Sequence, residues 1–187
     1  MKIQLVTSNE GKYREMKAEA ERAGHQLLWT RHAYPEIQTD SLEEVVKEGM
    51  LWLQGRLELP GPFMIEDSGL FVEALKGFPG VYSAYVMKTL GNAGLLRLLA
   101  GEAHREARFE SRIGFWSEDK GPHLFAGSCA GTIAATARGS SGFGYDPIFV
   151  PKGDQRTFAE MTTGEKNLYS HRGRSSKELI KFLGQLK

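Results

Sequence analysis

Three apolar residues, Phe63-Met64-Ile65, run directly into two adjacent carboxylates, a hydroxyl and a glycine, Glu66-Asp67-Ser68-Gly69, ahead of Leu70. The apolar run predicts a buried strand. A buried strand seldom ends in paired acids unless something there needs negative charge, and Gly69 is expected to let the backbone turn sharply. The chemistry suggested is cation binding, with Asp67 at the floor of a cleft and Glu66 as a helper. Another acid, Glu36, lies in a Pro-containing loop ahead of a capped helix. Mg2+ takes oxygen ligands, keeps several waters and is commonly held by one or two carboxylates plus substrate phosphates. Glu36 with Asp67, or Glu66 with Asp67, supplies such a set. The plain alternatives are an exposed loop acid at Glu36 and a turn cap at Asp67.

Asp67-Ser68-Gly69 also matches the Asp-Ser/Thr-Gly of aspartic proteases, which need two aspartates sharing a proton. The chain has one such copy, so a protease would require a symmetric dimer, and the pattern described below does not suit an all-β enzyme.

Other groups carry complementary chemistry. Thr7-Ser8-Asn9-Glu10-Gly11-Lys12 follows an apolar strand and opens a helix, where free N–H groups and the helix dipole make an anion site. Lys12 adds a full positive charge one turn in. A plain N-cap with a surface lysine explains the same residues, and the glycine spacing of a Walker loop is missing. In Ser141-Gly142-Phe143-Gly144-Tyr145-Asp146-Pro147, glycines flank two aromatics on which a flat ring could stack, or which could simply fill the core. From Glu165 to Lys187 there are six Lys/Arg against two Glu, with Lys166, Ser170 and His171 near one helical face. Such donors suit phosphate and carbonyl oxygens, although composition alone is met by a solvated basic helix end, and His171 by a core histidine. No His-x-x-x-His pair suggests zinc.

The elements that must position these residues read as α/β. Ile3, Leu5 and Val6 form a strand. Tyr13, Met16, Ala20 and Ala23 are one face of a helix stopped by Gly24, and Gln26 to Thr30 is a second strand. Ser41 and Glu44 form a capping-box pattern before a stripe of Leu42, Val45, Val46, Met50, Leu53 and Leu57, ended by Leu59-Pro60-Gly61-Pro62. Gly77 to Ser83 reads as a turn-rich loop, and Thr89 to Ala100 as one helix. Ala107 to Ser117 and His123 to Ala135 are long strands joined by a hairpin at Glu118 to Gly121. Ile148 to Val150 is a short strand, and Glu165 onward is helical. The long hairpin predicts a mixed sheet in one domain over residues 1–187.

The length, 187 residues, suits one domain with a real core. A net charge of +1 argues against a general nucleic-acid binder or a membrane-surface protein, and no apolar run approaches a membrane span. One cysteine excludes an internal disulfide, and the start lacks a signal-peptide layout, so a cytoplasmic protein is expected.

Thr7 to Lys12, Glu66 to Leu70, Gly77-Phe78-Pro79-Gly80-Val81-Tyr82-Ser83, Phe143 to Pro147, and Lys166-Asn167 through Ser170-His171-Arg172 occur in this order in one chain. Together they resemble the inosine triphosphate pyrophosphatase family over essentially the whole length. The resemblance implies a two-lobed α/β domain with a long curved mixed sheet, helices around it and a substrate cleft between the lobes. It also implies a homodimer, Mg2+, and hydrolysis of ITP, dITP and XTP to the monophosphate plus pyrophosphate. By matching position, Thr7, Ser8, Asn9, Glu10, Gly11 and Lys12 would bind the triphosphate. Glu36 and Asp67 would hold the metal, with Asp67 as general base. Ser68, Phe143, Gly144, Tyr145, Asp146, Lys166, His171 and Arg172 would contact substrate. Where some members carry Lys or Arg just after Tyr82-Ser83, this chain has Ala84-Tyr85-Val86, with Lys88 nearby. A nucleotide-binding module without catalysis and an RNA-binding protein using the basic C-terminal helix are the competing classes.

Overall fold

Strand β1 (Lys2–Val6) delivers Thr7-Ser8-Asn9 to helix α1 (Glu10–Arg22), whose N-cap Asn9 accepts the Lys12 N–H at 3.1 Å. Gly24, in the left-handed region at φ 78°, ends the helix and returns the chain to β2 (Gln26–Thr30), parallel to β1. The computed structural model describes residues 1–56 and 59–185. Ser41 caps α2 (Leu42–Gln54), which buries Leu42, Val45, Val46, Met50 and Leu53. Leu57, expected to extend that stripe, lies outside the described residues, as does Lys187.

Strand β3 runs without interruption from Phe63 to Val72. The acids therefore sit in mid-strand, not at its end, and Gly69 makes no turn. Its role is close approach: a methyl group there would collide with the Gly80 carbonyl of β4 (Pro79–Gly80), which pairs antiparallel with β3. Of the stretch expected to be helical, Thr89 to Ala100, α4 (Gly91–Leu98) forms; it is preceded by a helix not expected from the sequence, α3 (Ser83–Thr89), and Gly91 at φ 62° marks the break between them. The hairpin is as expected: β5 (Glu106–Ser117) and β6 (Gly121–Ile133) pair along their length, and β7 (Phe149–Pro151) adds to β6. Helices α5 (Thr163–Tyr169) and α6 (His171–Gly184) close the fold.

The sheet order is β2-β1-β3-β5-β6-β7, parallel on the β1 side of β3 and antiparallel beyond it. This is the expected mixed α/β sheet. Its long strands pass through three separate hydrophobic clusters. At one end, Met64 of β3 and Ile113 and Phe115 of β5 pack with α1 and α6, while Phe63 and Ile65 of β3 pack with α2. At the other end, Leu70, Val72, Ala107 and Phe109 pack with Leu95, Phe149 and Phe158. Between the two lobes the paired strands are polar, Glu66 to Gly69 facing Ile113 to Glu110 in register. Gly114 leaves room for Val46 and Met50 of α2, and Gly127 lets the α6 backbone rest on β6.

Gly69→Ala is expected to lower stability by about 1–3 kcal/mol through overpacking against Gly80, measured by denaturant unfolding. A loss below experimental error would show that the β3–β4 approach is not tight.

Candidate functional site

The polar waist of the sheet has an open edge. β1 pairs with β3 only at Phe63 and Met64, and β4 takes up the same side at Leu70 and Phe71, so from Ile65 to Gly69 that side of β3 has no neighbouring strand. Lys12, in the first turn of α1, fills the gap. Its Nζ donates to the Glu66 carbonyl at 2.9 Å and lies 3.1 Å from Glu66 Oε2 and 3.4 Å from Asp67 Oδ1. The strand beneath it thus receives two hydrogen bonds and a further ion-pair contact from one ammonium.

Glu66 is wholly buried. It also accepts Ser111 Oγ from β5 at 2.8 Å, and Arg172 Nε lies 3.2 Å from its Oε1. Burial alone would raise its carboxyl pKa, but Arg172 and Lys12 outweigh that and hold it at about 2. Asp67 behaves oppositely. Burial raises its pKa to about 6, Lys12 opposes this, and the negative charges of Glu66 and Glu36 add to it. Glu36 itself is exposed, in the loop before α2, and its charge acts on Asp67 and on buried Tyr34.

The basic C-terminal segment is not a solvated helix end, since Lys166, His171 and Arg172 are all buried. The helix breaks at Ser170, which is extended and caps α6 by accepting the Gly173 N–H. In a continuous helix, at about 100° per residue, Lys166 and Arg172 would point roughly 120° apart. The break lets both reach one acceptor, Glu15 of α1. Lys166 Nζ donates to Glu15 Oε1 and Arg172 Nη1 to Glu15 Oε2, each at 2.6 Å. Burial works against a charged Glu15, yet the two cations keep its pKa below the usual value.

Lys166 and Arg172 each have a second commitment. Lys166 Nζ donates to Asp146 Oδ2 at 2.6 Å, and the same oxygen accepts the Phe143 N–H at 2.8 Å. Arg172 Nη2 donates to Ser68 Oγ at 2.8 Å. The Phe143 ring lies 4.9 Å from Lys166 Nζ and rests on Gly11, where any side chain would strike it. Tyr145 is turned into the core, its hydroxyl donating to the Ser83 carbonyl at 2.9 Å. His171 stacks on Phe109 at 4.5 Å; burial first, then Arg172, lowers its pKa well below the ordinary range, so it is neutral. Its Nδ1 is buried and unpartnered among the described residues.

These groups surround one cavity of about 230 Å3. Asn9, Lys12, Asp67, Ser68, Phe143, Gly144, Tyr145, Asp146, Lys166, His171 and Arg172 line it, all anticipated from the sequence. Thr7, Ser8, Glu10, Gly11 and Glu36 do not. The Thr7 hydroxyl accepts the Asn9 N–H at 3.1 Å, Glu10 pairs with Arg14 on the surface, and Gly11 lies under Phe143. The sequence reading missed Glu15 and, in the cavity wall, Phe109 and Met87; Lys88, named there as a neighbour of Ala84, lines the cavity from α3 together with Ser83 and Ala84. Lys88 thus brings a cation to the cavity one turn beyond Ala84. A signal for Glu15 existed: with Glu19 it places acids at i and i+4 beside the apolar Met16 and Ala20.

Residues 3–182 match the Ham1 family model. A dITP/XTP pyrophosphatase of Thermococcus kodakarensis is 54% identical over 183 residues, covering 98% of this chain and 97% of its own. One of Pyrococcus horikoshii is 51% identical over the same shares. Of solved structures, a HAM1 protein from Coxiella burnetii superposes with a TM-score of 0.81 at 30% identity, covering 99% of each chain. The Staphylococcus aureus Ham1 protein gives 0.79 at 29%, covering 98% of this chain and all of that one. The match extends over nearly the whole length and agrees with the resemblance read from the motifs: the chain belongs to the Ham1 family.

Proposed function

We propose that this protein hydrolyses ITP, dITP and XTP to the nucleoside monophosphate and pyrophosphate. The observation that carries the reading is the single cavity in which a carboxylate with a raised pKa, Asp67, shares space with stacking and donor groups, Phe143, His171 and Arg172. The names of the relatives point to two of these substrates, dITP and XTP. Bases stack on Phe143, beside the neutral His171, whose buried Nδ1 is unpartnered. The 6-oxo group of hypoxanthine or xanthine accepts donors from His171, Arg172 or backbone N–H groups, whereas an adenine amine leaves them unpaired.

The triphosphate lies toward Asn9, Lys12 and Lys88, at the N-terminal end of α1. Glu36 and Asp67 would hold Mg2+: the charges of Glu66 and Glu36 raise the Asp67 pKa and Lys12 only partly opposes this, an excess of negative charge that suits a hard divalent cation. When bound, the ion offsets negative charge on phosphate oxygens. Asp67 orients the attacking water and takes its proton as the oxygen bonds to the α-phosphorus, while the bond to the β-phosphate oxygen breaks and pyrophosphate leaves. Lys12, which opposes the upward shift of the Asp67 pKa, favours the carboxylate form that accepts the proton. The same reading includes a cytoplasmic homodimer, for which Tyr82 and Tyr85, 48% and 68% exposed, offer apolar surface.

Incubation with ITP, XTP, GTP and ATP plus Mg2+ is expected to release pyrophosphate, not phosphate, with kcat/KM for ITP and XTP about 100-fold or more above ATP. Equal values would rule out base recognition by donors, and binding without turnover would favour a nucleotide-binding module.

Asp67→Asn is expected to lower kcat by about 100-fold or more. The folded state holds the Asp67 proton more tightly than the unfolded chain, so this group destabilises the fold as pH rises from 3.8 to about 6, and fully above that. The variant should therefore be no less stable than its parent at pH 7, as read by thermal melting. In the parent, kcat/KM should rise with pH through about 6 at low Mg2+, and added Mg2+ should move that limb to lower pH. Near-parental turnover by Asp67→Asn would remove Asp67 from the mechanism.

A further inference from the structure

Between the aromatic end of the cavity and its acidic end runs an unbroken series of buried polar contacts. The Phe143 N–H donates to Asp146, which accepts Lys166. Lys166 and Arg172 each donate to one oxygen of Glu15. Arg172 continues to Ser68 and Glu66, and Glu66 meets Lys12, which reaches Asp67. Glu15 is the midpoint. Its side chain is 6% exposed, both oxygens are occupied, and neither faces a reacting atom. It also comes from α1, while the cations it joins come from the two sides of the Ser170 break.

We infer that Glu15 is a positioning residue that couples occupation of the base end of the cavity to the arrangement of its phosphate end. The inference rests on the nucleotide reading of the site and adds to it a route by which the base is sensed. A base stacking on Phe143 bears on the Phe143–Asp146–Lys166 group. Since Lys166 and Arg172 share one carboxylate at 2.6 Å each, displacement of either ammonium or guanidinium moves the acceptor of the other. Arg172 then carries the change to Ser68 and Glu66, beside Asp67. A base that seats correctly thus favours the phosphate-end geometry, and a poorly seated one does not. The chemistry requires a carboxylate at Glu15, because an amide offers one acceptor and turns an N–H toward a cation.

The test measures coupling apart from turnover. Binding of inosine and of inorganic tripolyphosphate is followed by calorimetry, each alone and with the other saturating. In the parent, each probe should tighten the other by about fivefold or more, the lower end of ordinary inter-site coupling. In Glu15→Gln both probes should still bind, but independently, and the preference for ITP over ATP in kcat/KM should shrink by a similar factor. Glu19→Gln, which removes a neighbouring buried acid that contacts Asn167 and Arg22 instead, should keep the coupling. If Glu15→Gln does not fold, the Glu15→Gln, Lys166→Met pair, which deletes one buried charge of each sign, takes its place with the same expected loss. Retained coupling in the variant, or no coupling in the parent, overturns the inference. A parent that binds neither probe overturns the nucleotide reading beneath it.

Discussion

A carboxylate removed from water is tolerated only when opposite charge and hydrogen bonds come with it, since the penalty is several kcal/mol per ion. Glu15, Glu66, Asp67 and Asp146 are gathered at the waist of this molecule, and Lys12, Lys166 and Arg172 are gathered with them. That pairing requirement dictates much of the architecture around it. α1 must bring Lys12 and Glu15 to the same region, and the C-terminal helices must break so that two cations meet one acid. The compensation is uneven. Glu66 is held ionised at about 2, whereas Asp67 keeps an elevated value of about 6. Two adjacent acids on one strand are thereby left in different states, Glu66 as a fixed anion within the scaffold and Asp67 as a carboxyl that exchanges its proton far more readily near neutral pH.

The sheet provides the rigid frame. β3 and β5 are each anchored at both ends by buried apolar residues, and the acids of β3 lie where it crosses from one hydrophobic region to the other. The ends of these strands fix the height and direction of the acids, while the open edge beside Ile65 to Gly69 admits α1 from one side. Placement in mid-strand limits the backbone motion available to Asp67 far more than a strand-end loop would.

Much of this was legible because chemistry and local structure coincide in short stretches. Asn9 announces a cap, Lys12 follows one turn later, and an apolar run meets Glu66 and Asp67. The misreadings have physical reasons. Gly69 was expected to turn the chain, because local propensity cannot tell a glycine that bends from one that admits another backbone; only the position of Gly80 decides. Lys166 and Arg172 look like a solvated basic run until Ser170 interrupts the helix and both are drawn inward. Glu15 is the clearest omission. An acid in the first half of a helix ordinarily faces water and complements the dipole, and nothing local reveals that residues 151 and 157 positions away supply its partners.

The glycines under α6 have a consequence for how such a sequence can drift. At Gly127 the β6 backbone touches the helix at His171 and Ser175, and Gly173 of α6 abuts the Asn167 carbonyl, so at these two points no side chain separates the helix from its neighbour. Arg174, Lys177, Glu178 and Lys181 face water and can be exchanged at little expense. A single methyl group at 127 or 173 would instead lift the whole helix and carry His171 and Arg172 away from β3. Variation along this helix is therefore channelled to one side, and the other is constrained by two positions that carry no side chain, Gly173 in the helix and Gly127 in the strand beneath it.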